Sequence, residues 1–274
     1  MSKTTIKTYP NIAQSFGIIG VLILGSIIMI PLNLLLNIII SGEASMLICF
    51  LLINLISLLI VNSIRKNKTG ISSFYFDINH KIIIPFIILG TLALQYGIVY
   101  PISALIPMSE FFRKVFMALG AHKSIYTFML IVVAAPILEE LIFRGIILDG
   151  LLKKYTPHKS ILVSSLLFGL AHLNPWQFVT GFLLGIFSGW IYFNTKSVFP
   201  SIIIHATANL NAFIMMHFIN PNASMNETLI EMYGGITNLT IAIIGSVIIL
   251  IVCFYFINRE FVKDDSIKPP TLSN

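Results

Sequence analysis

The sequence predicts an all-α polytopic membrane protein, with about eight transmembrane helices surrounding an intramembrane catalytic cavity. Three observations carry that expectation. Of 274 residues, 57% are hydrophobic and only 10% charged, against about 25% charged in an ordinary soluble domain. The mean hydropathy is +0.92, more apolar surface than a soluble chain of this size can hide around one core. The apolar residues also fall in runs of the length a helix needs to cross about 30 Å of hydrocarbon. An apolar content this high excludes disorder for most of the chain.

The runs lie at about 16–40, 46–64, 82–100, 125–148, 160–173, 177–193, 198–218 and 236–257. The first, which contains Pro31, is too long for a signal h-region and no small-residue cleavage site follows it, so it is expected to be a retained span. The fifth is short. It ends at Asn174-Pro175-Trp176, a break that sends the chain straight back as the sixth. The loops at about 65–81, 101–124 and 219–235 are too short for a soluble domain. Residues 1–258 are therefore expected to form one integral-membrane domain with a motif-bearing core at about 125–215. The polar residues 259–274 are expected to be a disordered cytoplasmic tail. Phe111-Phe112-Arg113-Lys114 has the composition of an interfacial amphipathic piece.

The charge pattern orients the spans. Lys3, Lys7, Arg65, Lys66, Lys68, Lys81, Lys153, Lys154, Lys159, Lys196, Arg259, Lys263 and Lys268 fall on one side of an eight-span topology. Only Arg113, Lys114 and Lys123 fall on the other. Basic residues favour the cytoplasmic side, so a multi-pass protein of the cell membrane with both termini cytoplasmic is expected. The net charge of +6 is thus assigned to topology and to membrane lipid, with no nucleic-acid partner. Cys49 and Cys253 each sit alone in an apolar run, so neither a disulfide framework nor a thiolate metal site is expected.

A charged side chain at a helix centre costs roughly 2.5–3.5 kcal/mol on insertion scales, so the ionisable groups inside the runs identify the chemistry. They fall in three patterns: Glu139-Glu140-x-x-x-Arg144, Phe168-x-x-x-His172 and His205-x-x-x-Asn209. Residues four apart share one helix face. At about 1.5 Å per residue, all three patterns lie at depths where they can meet in one cavity. A carboxylate in a dry cavity can act as general base on water. A histidine can share that water and pass its proton to a leaving amine, and a donor such as an amide can stabilise the oxyanion. Glu140 and Arg144 also suit a structural ion pair. His217 pairs with no motif and is expected to be a packing residue. Gly181-x-x-x-Gly185-x-x-x-Gly189 suits a helix contact face. No G-x-S-x-G elbow and no H-E-x-x-H motif is present.

In order and in separate helices, the three motifs resemble those of the CAAX-protease and bacteriocin-processing (CPBP, or Abi) family of intramembrane proteases. The resemblance covers about a third of the chain. It implies an endopeptidase cleaving a membrane-associated or lipid-modified peptide, with Glu139 as the water-activating glutamate and His172 as its partner. By the same resemblance His205 and Asn209 stabilise the oxyanion, Glu140 and Arg144 support the helix, and Phe168 packs. The family is commonly described as metalloproteases. A divalent metal such as zinc, if bound, would fall to Glu139, His172 and His205, although no familiar zinc spacing is present. Two other functions fit such residues: a non-catalytic membrane scaffold or bacteriocin self-immunity protein, and a proton-coupled transporter. Against the transporter, no inverted repeat is evident.

Overall fold

The computed structural model describes residues 8–78, 81–114, 123–218 and 228–267. Lys3, Lys7 and Lys268, and the side chain of His217, lie outside this set. Within it the regular structure is helical, without strands. The long helices are α1 (Ile12–Leu36), α2 (Gly42–Thr69), α3 (Ile83–Ala104), α4 (Ile125–Leu152), α5 (Pro157–Leu170), α6 (Pro175–Thr195), α7 (Phe199–Phe218) and α8 (Ile236–Ile267). Among the described residues six of them, α1 to α4, α6 and α8, are long and apolar enough to cross a membrane. The protein is therefore an all-α polytopic membrane protein. The expected count of eight spans rests on α5 and α7, which are shorter: the 14 residues of α5 reach only about 21 Å. The last helix runs on to Ile267, beyond the apolar run that ends near residue 257.

Local chemistry sets the helix ends. Asn11 and Gln14 form a reciprocal capping box at the start of α1, each side chain accepting from the other's backbone N–H at 2.9 Å. Asn174 caps α6 through the Gln177 N–H, with Pro175 at the first helical position. Gly70 closes α2 in the left-handed region, at φ 76°.

Helix α4 is the buried centre. Ile142, Phe143, Ile146, Ile147, Leu148 and Leu151 pack against Ile18 and Ile19 of α1, Leu58 and Val61 of α2, and Leu167 and Phe168 of α5. A second core joins Ile83 and Ile87 of α3 to Phe187 and Ile191 of α6, Ile204 of α7 and Ile257 of α8. By contrast α1 turns side chains such as Leu24 and Ile28 outward. A hydrocarbon solvent carries no penalty for apolar surface, provided the backbone is satisfied within the helix.

The α5–α6 hairpin is set by small residues, as the glycine spacing predicts. A Cβ at Gly181 would lie 3.1 Å from the Gly169 Cα, one at Gly185 2.9 Å from the Ser165 Cβ, and one at Gly189 3.1 Å from the Ile161 Cγ2. These contacts register the two helices antiparallel and place their turn, residues 171–174, at one end of the bundle. Near that end the Trp176 indole donates to the Ile106 carbonyl at 3.1 Å, and its ring meets Phe112 edge-on at 5.1 Å. At the opposite end Arg65 pairs with Asp149 at 3.0 Å and the Val198 N–H donates to the Tyr75 carbonyl at 2.9 Å. The Lys68 ammonium stands 5.0 Å from the Tyr9 ring centre there.

Candidate active site

Within α4 the backbone is wound as a π-helix over Met129–Ala134 and again over Phe143–Leu148, on either side of the α-helical Ala135–Ile142 that carries both glutamates. π-Turns of this kind concentrate at functional sites. The first has a direct consequence. In i→i+5 winding the Ala135 N–H bonds the Leu130 carbonyl. The next donor in the series would serve Ile131, but it belongs to Pro136, which has no N–H. The Ile131 carbonyl is instead capped by the Asn209 side-chain amide of α7, at 2.8 Å.

Glu140 is fully buried and its two carboxylate oxygens collect three partners. Oε2 lies 3.1 Å from Arg144 Nε and accepts from Ser188 Oγ at 3.3 Å. Oε1 accepts from His205 Nδ1 at 3.1 Å. One carboxylate of α4 thereby ties α6 and α7 to the same point. Arg144, 1% exposed, donates from Nη2 to the Gly185 carbonyl at 3.4 Å and stands 4.6 Å from the Phe168 ring centre. Its Nη1 has no hydrogen-bond partner among the described residues.

Phe168 is the packing hub. Its ring meets Phe143, His172 and His205 edge-on, with centroids 4.9, 5.3 and 5.4 Å apart. The first turn beyond α5 carries His172, whose Nδ1 sits 2.9 Å from the Phe168 carbonyl. A carbonyl and a carboxylate only accept, so the Nδ1 of His172 and that of His205 both carry protons. The second nitrogen, Nε2, of each ring is then left for the cavity, the usual effect of a partner that fixes a tautomer.

Two cavities meet here. The smaller, about 70 Å³, is lined by Glu140, Arg144, Phe168, His172, His205 and Asn209 among others. The larger, about 300 Å³, lies between α1, α2 and the α5–α6 turn, and is lined by Glu139, His172, Asn54 and Ser26 with apolar side chains of α1. His172 belongs to both. The structure thus joins His172, His205 and Asn209 around one space, while half-buried Glu139 opens into the other, sharing only His172. The four residues line two adjoining cavities that meet at His172. The reason is geometric: neighbours on a helix point about 100° apart, so Glu139 and Glu140 face different spaces. Ser188, absent from the sequence motifs, joins the site through Glu140. Its one sequence signal is a place on the small-residue face between Gly185 and Gly189.

Residues 121–211 match the family model described as "Type II CAAX prenyl endopeptidase Rce1-like". That stretch contains all three motifs. The resemblance to CPBP-type proteases holds over this third of the chain. A protein of Bacillus subtilis (strain 168) with the name "Putative membrane peptidase YdiL" is 30% identical over 89 residues, 32% of this chain and 36% of its own length. The chain spans about a third of the length of the curated relative it matches. No solved structure matches the chain significantly.

Among the described residues no three His, Cys, Asp or Glu side chains are grouped as a metal site. The set Glu139, His172 and His205 is divided between two adjoining cavities that share His172. Among the described residues these three do not form a grouped set of metal ligands.

Proposed function

We propose that this chain is a membrane-embedded endopeptidase that hydrolyses a peptide bond of a membrane-associated substrate with a glutamate- and histidine-activated water. One observation carries the reading: His172 lines both cavities, so a carboxylate stands on one side of it and an oxyanion-binding set on the other. The match of residues 121–211 to the Rce1-like family supports it.

In this reading water sits between Glu139 and the Nε2 of His172. Glu139 takes a proton as the water oxygen attacks the scissile carbonyl carbon. The carbonyl oxygen becomes an oxyanion, which receives the second amide N–H of Asn209 and, when its ring is doubly protonated, the Nε2–H of His205. The proton held by Glu139 passes through His172 to the amide nitrogen, the C–N bond breaks, and the carboxylic acid gives its remaining proton to the amine, so that carboxylate and ammonium leave. Glu140 and Arg144 act as positioning residues, holding His205 and the α4 face. The apolar wall of the larger cavity, built by α1, suits a lipid-modified or otherwise hydrophobic substrate segment. No step is routed through a metal.

The test is substrate trapping. Membranes holding the parent chain are compared with membranes holding Glu139→Gln, scored by which peptides accumulate, and the purified pair is then assayed on those peptides. Hydrolysis by the parent and loss of at least a hundredfold in the variant are expected, the scale of a general base. Equal rates would show that Glu139 is not the base.

A further inference from the structure

A third cavity, about 380 Å³, lies at the other end of the molecule, where α2, α4 and α6 stop. Its charged lining is Arg65, Asp149, Lys153 and Lys196, with Ser73, Tyr75 and Tyr192 as further polar groups. Three cations face one carboxylate, a surplus of two positive charges. Asp149 is already engaged twice, with Arg65 at 3.0 Å and Lys153 at 2.6 Å. Lys196 has no ion pair among the described residues. Its ammonium lies 4.5 Å from the Phe193 ring centre, and its backbone, at φ 56°, ends α6 in the left-handed region. Partial desolvation draws its proton affinity below the usual lysine range, with Asp149 opposing and Lys153 adding to the effect.

The placement of the cavity narrows what would balance that charge. The cavity is lined by the last turns of three helices and the residues that follow them, and the ends of membrane-spanning helices are where lipid headgroups lie. Arg65 is 4% exposed and held by Asp149 and by the Ser73 carbonyl at 3.3 Å, so its guanidinium is fixed in place. Beside the cations the lining includes apolar Ile71, Phe74, Leu152 and Val198, and Ile71 and Tyr75 are 40% and 43% exposed. A cationic pocket with an exposed apolar rim suits a phosphate carried on an acyl-bearing backbone, since basic pockets between spans recognise anionic headgroups. We infer that the Arg65–Lys153–Lys196 pocket binds a phosphate group, that of an anionic glycerophospholipid of the surrounding leaflet. This site is separate from the proposed catalytic cavity and does not depend on the protease reading.

The full chain, reconstituted in phosphatidylcholine nanodiscs, is unfolded thermally with increasing phosphatidylglycerol, and in a second arm with inorganic phosphate in phosphatidylcholine alone. Binding to the folded state raises the midpoint. An upward shift of about 2–4 °C with phosphatidylglycerol is expected for the parent, retained in Lys196→Arg and at least halved in Lys196→Gln. Lys154→Gln, an exposed lysine outside the pocket, should keep the whole shift. A shift reproduced by inorganic phosphate at millimolar concentration would assign the site to the free anion and overturn the lipid source. The pocket itself is refuted by no shift with either probe, by an undiminished shift in Lys196→Gln, or by an equal loss in Lys154→Gln.

Discussion

The imidazole of His205 donates its Nδ1 proton to Oε1 of Glu140 across 3.1 Å, in a setting where the carboxylate is fully buried and the ring nearly so. This bond couples α7 to α4, and it makes Glu140, together with Arg144, the electrostatic centre of the molecule. Glu139, one residue earlier, lines the adjoining cavity. The two adjacent acids therefore differ in what their loss does.

Removing Glu140 strands a buried guanidinium. Glu140→Ala should destabilise the protein by about 3–5 kcal/mol, the usual consequence of deleting one partner of a buried ion pair. Glu139→Gln, at a half-buried position with no ion pair among the described residues, should move the unfolding midpoint little while abolishing hydrolysis. Thermal unfolding in detergent, paired with a cleavage assay, separates them. If Glu139→Gln proves the more destabilising, the division of roles drawn from their burial is wrong.

Asn209 and Pro136 are linked through the Ile131 carbonyl. Asn209→Ala should cost about 1–3 kcal/mol, because a half-buried backbone acceptor loses its donor. Pro136→Ala returns an N–H to the position that Ile131 lacks. In a double-mutant cycle the pair should therefore be less destabilised than the sum of the single changes, by about 0.5–3 kcal/mol. Strict additivity would mean that the amide of Asn209 does not serve that carbonyl.

The hairpin register places Lys154 and Gln177 at opposite ends of the bundle. Eighteen residues separate Gln177 from Thr195 along α6, about 27 Å, close to the thickness of the hydrocarbon. Lys154→Cys and Gln177→Cys should thus react with a membrane-impermeant maleimide from opposite faces of sealed vesicles. Background should be low, since Cys49 and Cys253 are buried. Labelling of both from one face would show that α5 and α6 do not traverse the bilayer as this register requires.

Much of this architecture was legible in the chain itself. Apolar runs announce helices in a membrane because hydrocarbon admits little else, and each expected run coincides with a long helix. The i, i+4 spacing of Glu140 and Arg144 and the Gly181, Gly185, Gly189 face were legible for the same kind of reason, since a helix repeats every 3.6 residues. Other features were beyond its reach. Nothing in the spacing foretold that Ser188 would bond Glu140, or that Asn209 would cap Ile131, because both contacts join residues tens of positions apart.

Composition and periodicity alone decide that this protein is a set of apolar helices carrying three polar motifs, since both follow from local chain geometry and the solvent. Only the tertiary structure decides which acid meets which histidine. That depends on helix rotation: a step of one residue turns a side chain by about 100°, enough to send Glu139 and Glu140 into different cavities with His172 between them.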